Sequence, residues 1–158
     1  MSRESKSKLA DDVLYLLRAH EAANDAFDEI ASQKLGINRT DQRCLNIVDN
    51  SGPITAGRLA ELSGLTTAAV TSVLDRLERA GYARRVRDQE DRRQVMVELT
   101  PLMAERGTPI WGPLGQEGKA ALERLSVAEL EGIVKFFRFG IELNERHIER
   151  VRTISFDP

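Results

Sequence analysis

The segment TTAAVTSVLDRLERAGYARRVRDQEDRRQVMVELT, residues 66–100, decides the fold. Its first half predicts a helix, because apolar residues recur every three or four positions and therefore share one face. Gly81 then supplies the left-handed residue that commonly ends a helix. The stretches Tyr82–Arg87 and Gln94–Thr100 alternate as strands do, and the charged sequence DQEDRR between them predicts the tip of a hairpin.

The predicted helix has a second face that is small and rich in hydroxyl groups at its N-terminal end. Serine and threonine form helices less readily than glutamate, lysine or glutamine, so this composition is unusual for a helix that only faces water. It fits a helix whose first turns approach another surface closely. The residues in question are Thr66, Thr67, Ala68, Thr71 and Ser72.

Two further helices are predicted before this segment. One runs over Asn38–Asn50, with Asn38 as its N-cap, and the other starts after the cap Thr55 and stops at Gly64. The intervening SGPIT breaks the chain and supports only a short extended piece around Ile54. Two short helices joined by a tight turn and followed by a two-stranded wing form a winged helix-turn-helix.

Both ends of the chain predict long helices. After a loose polar tail of about eight residues, an apolar stripe predicts a helix that ends near Gly36. At the other end, Ser126 and Glu129 form a capping box before a helix that continues to about Val151 and whose wide apolar face predicts burial against a partner chain. Between these helices, the glycines and prolines of residues 107–118 predict a break or strong kink, with Thr108 capping a renewed helix.

The predicted fold is mainly α with a small β-wing, in one domain over residues 1–158. Residues 37–100 form the winged helix-turn-helix lobe, and residues 5–36 and 101–152 form a helical dimerisation lobe from the N- and C-terminal helices. The composition agrees with a globular chain, since 41% of residues are hydrophobic and 30% are charged. No apolar run reaches the length that spans a bilayer and no signal peptide is visible, so we expect a cytoplasmic protein.

Several chemistries find no support in the sequence. One cysteine, Cys44, and two histidines make a structural metal site a poor expectation, and no cofactor is predicted. Gly118 and Lys119 invite a phosphate-loop interpretation, but Pro113 and Ala120 stand where that motif needs glycine and a hydroxyl residue. No catalytic constellation can be named, so we do not expect an enzyme.

Charge distribution favours double-stranded DNA as the partner although the net charge is only −2. Residues 76–93 hold seven arginines against four acidic residues. A helix fits the major groove, where its N-terminal residues reach base edges, while Arg76 and Arg79 are placed for phosphates. Arg84, which follows in the first strand of the wing, is a further candidate for DNA binding. Arg92 or Arg93 at the wing tip suits a minor groove. The alternative for the tip is a solvated turn with internal ion pairs.

These residues resemble the MarR family of bacterial transcription regulators. The order LAELSGLTTAAVTSVLDRLERAGYARRVRDQEDRRQVMVELT is similar to the core of that family, and Asp91-Arg92-Arg93 followed by Leu99-Thr100 is similar to its wing signature. The resemblance implies a homodimer that binds a pseudo-palindromic operator and usually represses. It also implies that Arg93 enters the minor groove and that Asp91 holds the tip in shape by pairing with a neighbouring arginine.

The resemblance further implies release from DNA by a small aromatic or anionic ligand. Three residues are candidates to line the ligand cavity, and each has an alternative role. His20 lies on the apolar stripe as a core or interface residue, Cys44 is a small buried hydrophobe, and Trp111 fills the space left by a kink. The sequence therefore predicts a DNA-binding repressor released by a ligand; the alternative is a winged-helix dimer that acts as a protein-interaction module without specific operator binding.

Overall fold

The computed structural model describes residues 3–88, 91 and 93–156. The described residues form six helices and three short strands. They are α1 (Arg3–Leu35), α2 (Arg39–Ser51), β1 (Ile54–Thr55), α3 (Ala56–Ser63), α4 (Thr67–Arg79), β2 (Ala83–Arg87), β3 (Val95–Leu99), α5 (Pro101–Leu122) and α6 (Val127–Arg152). The mainly helical class with a small β-wing is confirmed. No described helix is both long and apolar enough to cross a membrane.

Helix α1 starts earlier than predicted. The expected loose tail of about eight residues is wrong, because the helix already begins at Arg3. The segment RESKSK contains no glycine or proline and carries Glu4 in the first turn, where an acid favours the helix dipole. At the other end, Gly36 adopts a φ of 68° and terminates the helix as expected.

Side-chain caps define the starts of three helices in the winged-helix segment. Asn38, Thr55 and Thr66 each accept a hydrogen bond from the backbone N–H three residues further on. Such caps satisfy N–H groups that have no partner within the helix. The caps at Asn38 and Thr55 agree with the sequence prediction, whereas the capping role of Thr66 comes from the structure. Together they fix where α2, α3 and α4 begin.

The core of the winged-helix segment is formed by one face of each of these helices together with the sheet. Burying apolar side chains here supplies the main stabilising free energy. The fully buried set includes Leu45, Leu59, Val70, Val73, Leu74, Leu77, Tyr82 and Val97. Cys44 is also wholly buried, in agreement with its interpretation as a small hydrophobe.

The sheet has three antiparallel strands in the order β1-β3-β2. The short extended piece predicted around Ile54 is β1, and it pairs with β3 so that Ile54 lies opposite Val97. In the wing, Arg84 lies opposite Glu98 and Arg87 opposite Val95. The register therefore fixes which residues of the hairpin lie directly across from each other.

Gly81 makes the turn from α4 into β2. Its φ is 78°, a conformation that residues with a side chain rarely adopt, and a Cβ added there would lie 3.2 Å from Leu102. The same turn is closed by Thr100, whose hydroxyl donates to the Gly81 carbonyl at 2.5 Å and whose N–H donates to the Tyr82 carbonyl at 3.0 Å. Thus the end of the wing is hydrogen-bonded to its beginning.

Of the two predicted alternatives for this segment, the break is wrong, since α5 is helical from Pro101 to Leu122, while the strong kink stays a prediction. Pro109 and Pro113 each remove one backbone donor, but the turns on both sides keep their hydrogen bonds and carry the helix across the gap. Thr108 does not cap a new helix. Instead, its hydroxyl donates to the Ala104 carbonyl, one turn earlier, at 2.7 Å.

Helix α6 begins with the predicted capping box. The Ser126 N–H donates to the Glu129 carboxylate at 2.8 Å, and the Glu129 N–H donates to the Ser126 hydroxyl at 3.3 Å. The hydroxyl bond of Ser126, followed by its backbone bond, lowers the pKa of Glu129 below its ordinary value. No described residue of α6 is buried within the single chain.

The chain divides into two compact units, residues 1–110 and residues 111–158. The first contains α1 to β3 and the start of α5, and the second contains the rest of α5 with α6. The predicted division into a winged-helix lobe and a helical dimerisation lobe stays a prediction, because it groups residues from both units.

Candidate nucleic-acid interface

Helix α4 has one buried face and one exposed face. Val70, Val73, Leu74 and Leu77 are at most 2% exposed, so they anchor the helix in the core. The exposed face holds the small and hydroxyl-bearing residues that the sequence predicts to approach DNA: Thr66, Thr67, Ala68, Thr71 and Ser72. Ala68, Thr71 and Ser72 are related by steps of three and four residues, which places them side by side.

Two hydroxyl groups on this face are bound to their own helix. The Thr71 hydroxyl donates to the Thr67 carbonyl at 3.0 Å, and the Ser72 hydroxyl donates to the Ala68 carbonyl at 3.2 Å. Thr66, at the cap, accepts from the Ala69 N–H at 3.2 Å. These bonds fix the direction of each hydroxyl oxygen relative to the helix surface.

Arg76 forms an ion pair that the sequence did not predict. Its Nη2 and Nε donate to the Asp41 carboxylate at 2.5 and 3.0 Å, and Asp41 is 2% exposed. The hydrogen bond that Arg76 donates to Asp41 raises the pKa of Arg76, while burial acts in the opposite direction. Arg76 therefore ties α4 to α2. Its contact with a DNA phosphate stays a prediction, and in that contact the guanidinium would already be paired with Asp41.

Arg85 ties α4 to the wing. Its guanidinium contacts the Glu78 carboxylate and donates to Asp75 Oδ1 at 2.9 Å, while its backbone N–H donates to Glu78 at 2.8 Å. Arg84, on the opposite face of β2, donates to Glu98 at 2.6 Å. Much of the positive charge counted in the sequence is thus balanced by carboxylates on neighbouring elements.

The wing tip is organised around Asp91. Its carboxylate accepts from the Arg93 backbone N–H at 3.0 Å and from the Gln94 side-chain amide at 3.2 Å, and its own N–H donates to Asp88 Oδ1 at 2.8 Å. These bonds show Asp91 shaping the tip through the backbone of Arg93. Arg92, the other arginine predicted for the minor groove, lies outside the described residues. The predicted pairing of Asp91 with a neighbouring arginine side chain stays a prediction.

On α4 and the wing, three of the described arginines have no ion-pair partner. Within the described part of the chain, Arg79, Arg87 and Arg93 are exposed and have no ion-pair partner. Arg79 ends α4, Arg87 ends β2 and Arg93 lies at the wing tip. Positive charge is therefore available beside the exposed helix face and along the wing.

Tyr82 fastens this interface to the neighbouring helices. Its buried hydroxyl donates to the Leu35 carbonyl at the end of α1 at 2.9 Å and accepts from Arg106 Nη1 of α5 at 3.0 Å. The guanidinium of Arg106 also lies 5.8 Å from the centre of the Tyr82 ring. The turn after α4 is thereby held by the last turn of α1 and the first turns of α5.

The three candidate ligand residues lie in different surroundings. His20 is exposed on α1 and contacts the Asn24 amide at 3.2 Å. Cys44 is 0% exposed, and burial, followed by the nearby Asp41 charge, raises the pKa of its thiol. Trp111 is half-buried in the second compact unit. Complete burial gives Cys44 a core role, while ligand binding by His20 and Trp111 stays a prediction.

Sequence reasoning missed the carboxylates that pair with the interface arginines. Asp41 is 35 residues from Arg76, and no local spacing signals that contact. The Arg84–Glu98 pair had a signal, because equal strands around the DQEDRR tip place these residues opposite each other. Counting arginines without their cross-strand partners therefore overstates the available positive charge.

Comparisons with known proteins bear on the same segment. The model of the MarR family matches residues 37–95, which include α2 through β2. The uncharacterized HTH-type transcriptional regulator YcgE of Bacillus subtilis (strain 168) is 33% identical over 153 residues, which cover 96% of this chain and 98% of that protein.

Solved structures share the fold. RV1404 from Mycobacterium tuberculosis has a TM-score of 0.63 and 25% identity, covering 90% of this chain and 96% of its own. A mutant of S. aureus MepR bound to an oligodeoxyribonucleotide has a TM-score of 0.54 and 18% identity, covering 82% of this chain and 95% of its own. The likeness to YcgE extends over nearly the whole of both chains. This protein therefore belongs to the MarR family of transcriptional regulators.

Proposed function

We propose that this MarR-family chain binds a specific DNA operator as a homodimer and represses transcription until a small molecule releases it. The proposal is carried by the exposed face of α4, where small residues occupy the first turns and Arg79, which has no ion-pair partner among the described residues, ends the helix. A surface of this kind brings a helix close to base edges, while the arginines hold the phosphate backbone.

In the proposed complex, α4 lies in the major groove. A helix is about 10–12 Å wide with its side chains, which matches that groove, and its first turns are the ones that reach the bases. Arg79 is exposed at the end of α4, where it is available for a phosphate. The wing then extends to the side, so that Arg93 enters the neighbouring minor groove.

The homodimer is supported by apolar surface that the single chain leaves open. On α1, Leu9, Val13 and Leu16 recur on one stripe and are all exposed. On α6, the same holds for the stripe of Val134, Phe137, Ile141, Ile148 and Val151. Contiguous apolar surface of this extent is rare on monomers. We propose that a second copy of the chain covers both stripes.

Two-fold symmetry gives the operator its form. Two copies of α4 related by a two-fold axis require a pseudo-palindrome with half-sites centred about 34–36 Å apart, one turn of the double helix. A dimer on such a site blocks access of other proteins to the same DNA. Sedimentation analysis combined with footprinting tests this, and a monomer that protects one half-site would contradict it.

Ligand release is proposed for a small aromatic or anionic molecule. His20 on α1 is exposed and offers a ring nitrogen, and Trp111 on α5 offers an aromatic surface. Both are side chains suited to stacking or to binding a carboxylate. Titration of a fluorescent DNA complex with phenolic acids tests the proposal, and His20→Ala should weaken the release by any molecule that acts.

One observation favours a different function. Arg76, Arg84 and Arg85 are all paired with carboxylates, which reduces the positive field near the wing. A protein-interaction module without operator binding fits this cancellation. Salt dependence separates the two functions, because binding that neutralises phosphates releases counterions.

The experiment measures DNA affinity from about 50 to 200 mM salt. Each phosphate contact contributes about 0.9 to the slope of log affinity against log salt. We expect a steep negative slope, and we expect Arg79→Gln to reduce its magnitude by about one. The control is Arg58→Gln, which changes an exposed arginine of α3 that is paired with Glu61 and should leave the slope unchanged. A flat line would favour the interaction module.

A further inference from the structure

Two hydroxyl groups on the exposed face of α4 share one orientation in the structure. A carbonyl oxygen can only accept a hydrogen bond, so in the bonds from Thr71 to Thr67 and from Ser72 to Ala68 the hydroxyl must be the donor. Each hydroxyl proton is thereby directed at the helix. What Thr71 and Ser72 present outward is the remaining lone pairs of their oxygens, which accept hydrogen bonds.

The rest of this face adds methyl groups and a further acceptor. Ala68 and Thr71 carry exposed methyl groups, and Asp75, one turn beyond Thr71, carries a carboxylate that is 53% exposed. No lysine, arginine, asparagine or glutamine lies on α4 before Arg76, and Arg76 is paired with Asp41. The strong side-chain donors that usually read guanine are therefore missing from the first two turns.

Thr66 and Thr67 differ from this pattern but lie at the extreme N-terminus. Thr66 is the cap and accepts from the Ala69 N–H, and Thr67 is the first helical residue. We assign these two residues, together with the exposed N–H groups of the first turn, to a phosphate, and the base edges to the residues that follow on the exposed face. The base-reading surface thus consists of Ala68, Thr71 and Ser72, with acceptors and methyl groups.

We propose that α4 selects A·T base pairs in each half-site. In the major groove adenine offers the N6 amino donor, and its thymine partner offers a methyl group, so that one A·T pair satisfies both features of this surface. In a G·C pair, guanine offers two acceptors, N7 and O6, and cytosine offers the N4 amino donor but no methyl group, so a G·C pair satisfies only one of the two features. This specificity rests on the proposed DNA-binding function and names the base pairs that function requires.

The test uses base analogues in an operator selected from random DNA with the full chain. At each adenine of a half-site, 2′-deoxynebularine removes only the N6 amino group, and at each thymine deoxyuridine removes only the methyl group. We expect at least one adenine and one thymine whose replacement weakens binding by about tenfold and a few-fold, respectively. Melting of each duplex checks that the DNA remains paired.

Two variants connect the bases to the residues. Thr71→Val keeps the shape and methyl group but removes the acceptor, and Ser72→Ala removes the other acceptor. In one or both variants, the nebularine replacement should cause no further loss, because the hydrogen bond is already absent. Thr40→Val, the same type of change at an exposed threonine of α2, is the matched control and should keep the full tenfold loss.

Three results distinguish the possibilities. Loss of the nebularine effect in Thr71→Val or Ser72→Ala supports the proposal. An equal nebularine effect in wild type and both variants, or a selected half-site made only of G·C pairs, overturns it while leaving operator binding intact. If no sequence is enriched, both this proposal and the proposed function fail.

Discussion

The ion pair between Asp41 and Arg76 predicts an unequal response to mutation of its two partners. Asp41 is 2% exposed, whereas Arg76 is 41% exposed. Replacing Arg76 by alanine leaves a buried carboxylate without its partner, a change that costs about 3–5 kcal/mol in buried pairs. Replacing Asp41 by asparagine leaves an arginine that water can reach, so we expect a loss of about 2 kcal/mol.

A second pair in the same unit provides the control. Arg39 is also 41% exposed, and its Nη2 contacts Asp25 Oδ1 at 2.6 Å, but Asp25 is 75% exposed. The two pairs therefore differ mainly in burial of the carboxylate. Because exposed ion pairs contribute only about 0.2–1 kcal/mol, Asp25→Asn should destabilise the protein by less than about 1 kcal/mol.

Urea unfolding at one fixed protein concentration measures the free energy of unfolding for each variant. The expected order of loss is Arg76→Ala, then Asp41→Asn, then Asp25→Asn, with the slope against urea unchanged. Equal losses for Asp41→Asn and Asp25→Asn would refute the reasoning, because burial of the carboxylate would then have no effect. A larger loss for Asp41→Asn than for Arg76→Ala would refute the asymmetry.

Three further predictions follow from individual side chains. Arg93→Ala should weaken binding more on operators with A/T-rich flanks than on those with G/C-rich flanks, as measured by fluorescence anisotropy, because narrow minor grooves concentrate negative potential; equal losses would make Arg93 an ordinary phosphate contact. Cys44, whose pKa is raised by burial, should react with a thiol reagent in urea but not in the folded protein, and rapid reaction of the folded protein would contradict the structure. Ser126→Ala should raise the pKa of Glu129 toward 4.5, as followed by carboxyl NMR. Because the folded pKa is lowered, this carboxylate stabilises the helix start above its ordinary pKa and loses that effect as the pH falls through the folded value, and an unchanged pKa in the variant would show that the hydroxyl has no part in it.

Local signals were sufficient to predict most of the fold. Asn38, Thr55, Thr66 and Ser126 are polar residues that bind backbone N–H groups three positions away, so their effect can be read from neighbouring letters. Gly81 has the same local character, because its positive φ ends α4 whatever lies elsewhere. Interactions between residues a few positions apart can therefore be predicted from the sequence alone.

Two local predictions failed because competing effects were weighed wrongly. The N-terminal polar segment was expected to be irregular, yet it has no helix-breaking residue and extends α1 to Arg3. Pro109 and Pro113 were expected to break α5, yet their loss of two donors is outweighed by the helical turns on either side. The number of prolines in a long helix gives the number of missing backbone hydrogen bonds, but it does not determine whether the helix continues.

Residue types identify the candidate interface in the sequence, but the ion pairs of its arginines require the structure. Exposure of Thr71 and Ser72 follows from helical periodicity, whereas the direction of their hydroxyl bonds follows from the backbone of α4. The partner of Arg76 comes from a different helix, and the partners of Arg85 come from α4 itself. Pairing across elements depends on packing, which a linear count of charges does not contain.

We propose that this protein distinguishes one DNA sequence from another. The most direct measurement compares its affinity for the selected operator with its affinity for a scrambled duplex of the same composition at about 150 mM salt. Specific regulators bind their sites about 10³-fold or more tightly than other DNA, and we predict a ratio in this range that falls in Thr71→Val. Equal affinity for the two duplexes would contradict the account.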